Sequence, residues 1–134
     1  MGENEALPEI YRLWALVHLA QKDLASALEA VKHSLDQVRQ FGLEMDEGAG
    51  LRVLGQVQWA LGFQTEALAS FEQSLVLLTS ADEPYEAACT NLAWGSSLLS
   101  GNERERGLAL LHSAEDAFQE LGAMREVEAV RKLL

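Results

Sequence analysis

The side chains that could carry out acid–base or metal chemistry are few, and they are scattered along the 134-residue chain. The three histidines, His18, His33 and His112, stand in different sequence contexts, and none forms a His-Glu-x-x-His pair of zinc ligands. Glu29 and His33 would share a helix face, but two ligands do not make a metal site, so a surface pair is the favoured interpretation. No phosphate-binding glycine loop or nucleophile motif occurs either. The sequence therefore predicts a protein that is not an enzyme and that uses no cofactor and no metal.

Two further candidates for chemistry are weak. Cys89 is the only cysteine, which excludes an internal disulfide and a thiolate metal cluster. The residues 40 positions away on either side, Ala49 and Ala129, are small. We therefore interpret Cys89 as a packing residue, with a reactive thiol as the weaker alternative. The acidic segment 46–48 lacks the alternating oxygen ligands of a calcium loop, and we interpret it as part of a connection in which Asp46 caps the next helix.

The whole chain repeats every 40 residues without gaps. The positions that coincide include Leu28, Leu68 and Leu108, the small residues Ala15, Gly55 and Gly95, and the predicted turns at Lys22, Gly62 and Asn102. Apolar residues recur at helical spacing on both sides of each turn, which predicts helical hairpins. A period this long, kept through three copies, predicts a solenoid in which hairpins bury their apolar faces against each other.

The middle copy resembles the tetratricopeptide repeat. Leu54-Gly55, Ala67 and Phe71 stand at the offsets of the family pattern L-G…A-x3-F. The third copy has Gly107 where the family has alanine, and the period of 40 exceeds the usual period of about 34. In this long period the chain is similar to the helical arms of bacterial signal-transduction ATPases and transcriptional regulators.

The predicted fold is therefore all-α. We expect a tetratricopeptide-like α-solenoid of three antiparallel helix hairpins and a C-terminal capping helix, seven helices wound as a right-handed superhelix in a single domain, 1–134. The hairpins, called units 1, 2 and 3, are predicted at about 8–42, 46–82 and 84–122, followed by a terminal helix over 123–134. Residues 1–7 are predicted to be frayed, Asp23 to cap the second helix and Gly42 to end it.

One stripe of side chains recurs on the first helix of each unit. Its members are Arg12, Leu16 and Leu19 in unit 1, Arg52, Gln56 and Trp59 in unit 2, and Leu92, Ser96 and Leu99 in unit 3. The resemblance implies that first helices line a concave groove, so this stripe is predicted to bind a partner protein or peptide. The matching positions lack the Asn and Lys of the family's carboxylate clamp, so recognition of a chain terminus is not expected.

The two arginines of the stripe have two interpretations. In one, Arg12 and Arg52 bind a carboxylate of the partner beside an apolar side chain docked over Trp59. In the other, both arginines pair with nearby acidic residues. The remaining tryptophans, Trp14 and Trp94, share one repeat position beside a small residue, which predicts core packing for both.

Charge and composition restrict the partners. The net charge of −11 argues against nucleic acid, because binding phosphates requires clustered Lys and Arg. Acidic residues are densest in unit 3, where a solvated face is favoured over a site for a basic partner. No apolar run is long enough to span a membrane, and residues 1–5 are acidic where a signal peptide would be basic, so we expect a cytoplasmic protein that does not bind membranes.

The first helix carries apolar residues on almost every side. Terminal units of a solenoid need a polar outer face, which the final helix has and the first lacks. We therefore expect either a piece of a longer array or a homodimer formed through Leu13 and Val17. A sensor arm whose groove binds a small effector remains an alternative function.

Overall fold

The computed structural model describes residues 7–134, and this part of the chain contains seven α-helices and no strand. The helices are α1 (Pro8–Ala20), α2 (Leu24–Phe41), α3 (Glu44–Ala60), α4 (Gln64–Ser80), α5 (Pro84–Ser100), α6 (Arg104–Glu120) and α7 (Met124–Arg131). The predicted all-α class with seven helices is confirmed. The expectation that residues 1–7 are frayed lies, for 1–6, outside the described residues.

Each of the six connections between these helices contains one residue with a positive φ, and these residues are 20 positions apart. They are Lys22 (63°), Gly42 (69°), Gly62 (87°), Asp82 (56°), Asn102 (29°) and Gly122 (72°). At Gly62 the turn is a Schellman motif, because the Gly62 N–H donates to the Trp59 carbonyl at 3.0 Å and the next N–H donates to the Gln58 carbonyl at 2.9 Å. The connections between units are therefore as tight as the turns within them.

The start of α3 corrects one prediction. The helix begins at Glu44, and Asp46 lies in its first turn rather than at its N-cap. The predicted connection around 46–48 is therefore wrong. The acidic residues of this turn instead lie at the positive end of the helix dipole, where a negative charge is stabilising. The cap predicted at Asp23 is present, since its carboxylate accepts the Ser26 N–H at 3.2 Å, and the hydrogen bonds from Ser26 lower the pKa of Asp23.

The helices pack in neighbouring pairs along a row. α1 packs on α2, α3 on α4 and α5 on α6, while α2, α4 and α6 also contact the helix that follows each of them. The first helices of successive units touch as well, α1 with α3 and α3 with α5. α7 closes the row by burying Val127 and Val130 beside Phe118 of α6. The three first helices consequently lie side by side.

Two contacts within the hairpins repeat with the sequence. Ser34 of α2 donates to the Pro8 carbonyl at 2.7 Å, and Ser74 of α4 donates to the Gly48 carbonyl at 2.6 Å. Unit 3 lacks this bond, because alanine stands at the serine position. Instead its helices approach closely at Gly107, where an added Cβ would lie 2.9 Å from the Gly95 carbonyl oxygen. That distance gives a physical reason for glycine at a position where the tetratricopeptide pattern has alanine.

Candidate functional site

A groove crosses the three first helices. It has a volume of about 510 Å³ and is open to solvent. Its lining consists of Leu16 and Leu19 from α1, Arg52, Val53 and Gln56 from α3, and Cys89, Leu92, Ala93, Ser96 and Ser97 from α5. The structure thus brings together six of the nine residues of the predicted stripe, and leaves out Arg12, Trp59 and Leu99.

Both arginines of the predicted stripe form ion pairs with the next first helix. Arg12 Nη1 lies 3.2 Å from Asp46 Oδ1, and Arg52 Nη2 lies 3.0 Å from Glu86 Oε1. Arg52 Nη1 also donates to the Glu86 backbone carbonyl at 3.2 Å. In each pair the acid stands 34 residues after the arginine, and all four side chains are mostly shielded from solvent. This geometry matches the second interpretation, in which the arginines pair with acidic neighbours.

The third copy of this pairing is altered. Leu92 replaces the arginine, and the acid at the matching position is Glu126 of α7. Its carboxylate accepts the Tyr85 hydroxyl at 3.1 Å. The pKa of Tyr85 rises to about 12, chiefly through desolvation and then through the negative charges and hydrogen bond around it. A hydrogen bond from a neutral hydroxyl to a carboxylate therefore joins α5 to α7, where an arginine–carboxylate ion pair joins α3 to α5.

Trp59 and Leu99 lie between helices rather than in the groove. The Trp59 indole N–H donates to Ser100 Oγ at 3.2 Å, and a Cβ added at Gly101 would come within 2.7 Å of the ring. Trp59 therefore covers the turn after α5. Leu99 packs, partly buried, on the cluster formed by α5, α6 and α7.

Cys89 packs, partly buried, on the cluster formed by α5, α6 and α7, as predicted from the sequence, and it also lines the groove, which was not predicted. The missed signal is its spacing, because Cys89, Leu92 and Ser96 follow the i, i+3, i+7 pattern of one helix face. Burial of the thiol raises the pKa of Cys89, which lowers its thiolate fraction near neutral pH.

Trp14 and Trp94 share a repeat position but have opposite environments. Trp94 is 6% exposed, and its ring stacks on Phe71 of α4 with centroids 6.1 Å apart. Trp14 is 51% exposed, so the prediction of core packing is right for Trp94 and wrong for Trp14. The reason is that no helix among the described residues lies before α1 in the place that α4 takes before α5.

The same contrast extends over an end face formed by Leu13, Trp14 and Val17 of α1. Leu13 is 53% exposed, whereas its copy Val53 is 1% exposed. Val17 is also 53% exposed, and its copy Val57 is fully buried. The two residues predicted for self-association are therefore accessible.

Within 7–134, no group of three or more His, Cys, Asp or Glu side chains is arranged to hold a metal ion. In the same range, no helix combines the length and apolar character that crossing a bilayer requires.

Comparisons with protein-family models, with curated proteins and with solved structures found no match.

Proposed function

We propose that this chain is a non-catalytic interaction module of the tetratricopeptide kind, which binds a segment of a partner protein in the groove across α1, α3 and α5. The supporting observation is the groove itself, because three consecutive first helices contribute equivalent side chains to one continuous surface. A repeated surface of this kind suits an elongated ligand such as a polypeptide segment.

The chemistry of the groove indicates the kind of segment. Leu16, Leu19 and Leu92 provide apolar contacts, while Gln56 and Ser96 provide hydrogen-bonding groups. Arg52 is engaged by Glu86, so a partner carboxylate would have to compete with an existing ion pair. The segment that fits best therefore carries apolar side chains with neutral polar neighbours. Because the repeats resemble the helical arms of bacterial signal-transduction ATPases and transcriptional regulators, we place the module in the cytoplasm, within a larger bacterial regulatory protein.

Site-directed photo-crosslinking in the source cell tests this proposal. A benzoylphenylalanine at Ser96, in the groove, should crosslink a partner that mass spectrometry identifies. The matched control carries the probe at Val76, which is exposed on α4 and does not line the groove.

The identified partner then allows a binding measurement. Leu16→Glu, which changes an exposed groove residue, should weaken binding by about tenfold or more, whereas Val76→Glu should leave affinity unchanged. Equal crosslinking from both sites, or equal affinity of both glutamate variants, would contradict groove binding.

A second candidate function is self-association through the end face. The exposure of Leu13 and Val17, set against the burial of Val53 and Val57, favours it. An apolar patch that is covered in the other copies of the same unit marks a contact surface.

A further inference from the structure

A second depression, called here the outer pocket, lies between α1 and α2, away from the groove. Its volume is about 330 Å³, and it is open to solvent. Its lining consists of the aromatic rings of Tyr11, Trp14, His18 and His33, the small residues Ser26 and Ala30, and the carboxylate of Glu29. Aromatic rings beside a carboxylate are a favourable environment for an organic cation.

Unit 3 shows which groups occupy the equivalent space. The Trp94 ring has Phe71 stacked against it and also carries the guanidinium of Arg106, whose carbon lies 5.2 Å from the ring centroid. Arg106 belongs to α6, the second helix of the same unit. The protein thus already uses an arginine to cover this tryptophan position.

Unit 1 has the tryptophan without the arginine. Ser26 stands at the position of Arg106, and Ala30 stands at the position of Leu110, 80 residues earlier in each case. Both replacements shorten the side chain, and both residues line the outer pocket. The pocket therefore corresponds to the space that the arginine and leucine side chains occupy in unit 3.

We propose that the outer pocket binds an arginine side chain of a partner polypeptide, with the guanidinium over the Trp14 ring and paired with Glu29. Trp14 is half exposed and needs no rearrangement of the core to receive it. We choose arginine as the ligand because the guanidinium of Arg106 covers the equivalent ring, Trp94, in unit 3. The net charge of −11 further favours the approach of a basic segment.

This site is independent of the groove, since the residues that line the two depressions do not overlap. Leu13 and Val17 lie near Trp14 on the same helix and would provide apolar contacts for the residues flanking the arginine. A protein that bound nothing in its groove would still be expected to bind arginine here.

NMR titration with the peptide acetyl-Ala-Arg-Ala-amide tests the proposal. The indole N–H signals of the protein distinguish Trp14 from Trp59 and Trp94. Only the Trp14 signal should shift saturably as the peptide is added. The matched peptide replaces arginine by citrulline, which has nearly the same shape but no charge, and it should bind about tenfold more weakly or not at all.

Variants of the protein sharpen the test. Ser26→Arg places the missing arginine in the chain itself, and it should abolish peptide binding while the backbone cap at Asp23 is retained. Trp14→Leu should also abolish binding, and Glu29→Gln should weaken it several-fold. Glu72→Gln removes the same charge from an exposed site on α4 and should have no effect. Circular dichroism checks that each variant is folded.

Five results would overturn the proposal, and four of them concern the arginine peptide and the variants. These are a titration without a saturable shift at Trp14, equal binding of the arginine and citrulline peptides, unchanged binding by folded Ser26→Arg, and a Glu72→Gln effect as large as that of Glu29→Gln. Tighter binding of a trimethyl-lysine peptide than of the arginine peptide would also overturn it, because the pocket would then select quaternary ammonium ions.

Discussion

Arg52 illustrates how one side chain can hold two units in register. Its guanidinium contacts both the carboxylate and the backbone carbonyl of Glu86, which fixes α3 against the first turn of α5. Arg12 makes the corresponding contact to Asp46 of α3. Since both pairs are mostly shielded from solvent, they should be stronger than an exposed surface ion pair.

A double-mutant cycle of Arg52→Leu and Glu86→Gln should measure this contribution. Leucine is the residue at the same position of unit 3, so the change introduces a side chain that the repeat tolerates. We expect a coupling free energy of about 1 to 2 kcal/mol from urea denaturation. The control pair, Arg131 with Glu115, has an N–O distance of 2.7 Å but a more exposed arginine, and should couple by less than about 1 kcal/mol. Equal coupling of the two pairs would show that shielding does not strengthen the first.

The sequence predicted which residues share a helix face better than it predicted which side chains contact each other. The stripe containing Arg52, Gln56 and Ser96 follows from helical spacing, which depends only on local geometry. The pairing of Arg52 with Glu86 depends on the stagger between two helices in different units, which no local pattern encodes. The burial predicted for Trp14 is wrong for a related reason, because it depends on whether another helix packs before α1.

At the scale of the element, the turns were predictable and one helix start was not. Gly42 and Gly62 mark turns because glycine adopts a positive φ without steric cost. Gly48 falls in the predicted connection, yet it lies inside α3 together with Gly50; a Cβ added at Gly48 would come within 2.5 Å of Leu78, and one added at Gly50 within 2.8 Å of Leu35. Close packing therefore offsets the weak helix propensity of glycine, which costs about 1 kcal/mol per residue.

The positive φ shared by Lys22 and Gly62 predicts that substitutions at these two equivalent turns change the free energy of unfolding in opposite directions. Lys22 and Gly62 occupy the same position, with φ values of 63° and 87°, but lysine carries a steric penalty there that glycine avoids. Lys22→Gly should therefore raise the free energy of unfolding by up to about 1 kcal/mol, and Gly62→Ala should lower it by about 1 kcal/mol.

Thermal and urea denaturation would measure both changes. Asn102→Gly serves as the control and should have a smaller effect than Lys22→Gly, because asparagine tolerates the left-handed region. A loss of stability in Lys22→Gly would show that the lysine side chain, rather than its backbone conformation, matters at this turn.

At the scale of the whole molecule, side chains at equivalent repeat positions differ in burial, because their neighbouring helices differ. The fold class and the number of helices followed from the repeat, because each hairpin needs the same set of apolar positions. The two ends of the row break that equivalence. α7 covers the last hairpin with Val127 and Val130, while the end face of α1 stays open among the described residues.

This difference gives a matched pair of variants at one repeat position, Val17→Glu and Val57→Glu. Val57 is fully buried, so a glutamate there would place an unpaired charge in the core and should unfold the protein. Val17 is exposed, so the same change should leave the circular dichroism spectrum and the melting temperature nearly unchanged. Comparing the two variants therefore distinguishes an effect on folding from an effect on contacts that the end face makes.

Sedimentation equilibrium then tests self-association. If the end face is a contact surface, the mass of the wild type should rise with concentration toward that of a dimer, since two identical apolar patches would cover each other. Val17→Glu and Leu13→Glu should remain monomeric, because pairing would bring like charges together in a desolvated interface. A wild type that stays monomeric at every concentration, or a Val17→Glu variant that associates as strongly, would rule out this face as the dimer contact. Because Trp14 belongs both to this end face and to the outer pocket, self-association would compete with arginine binding, and the peptide titration therefore has to be run at a concentration where the protein is monomeric.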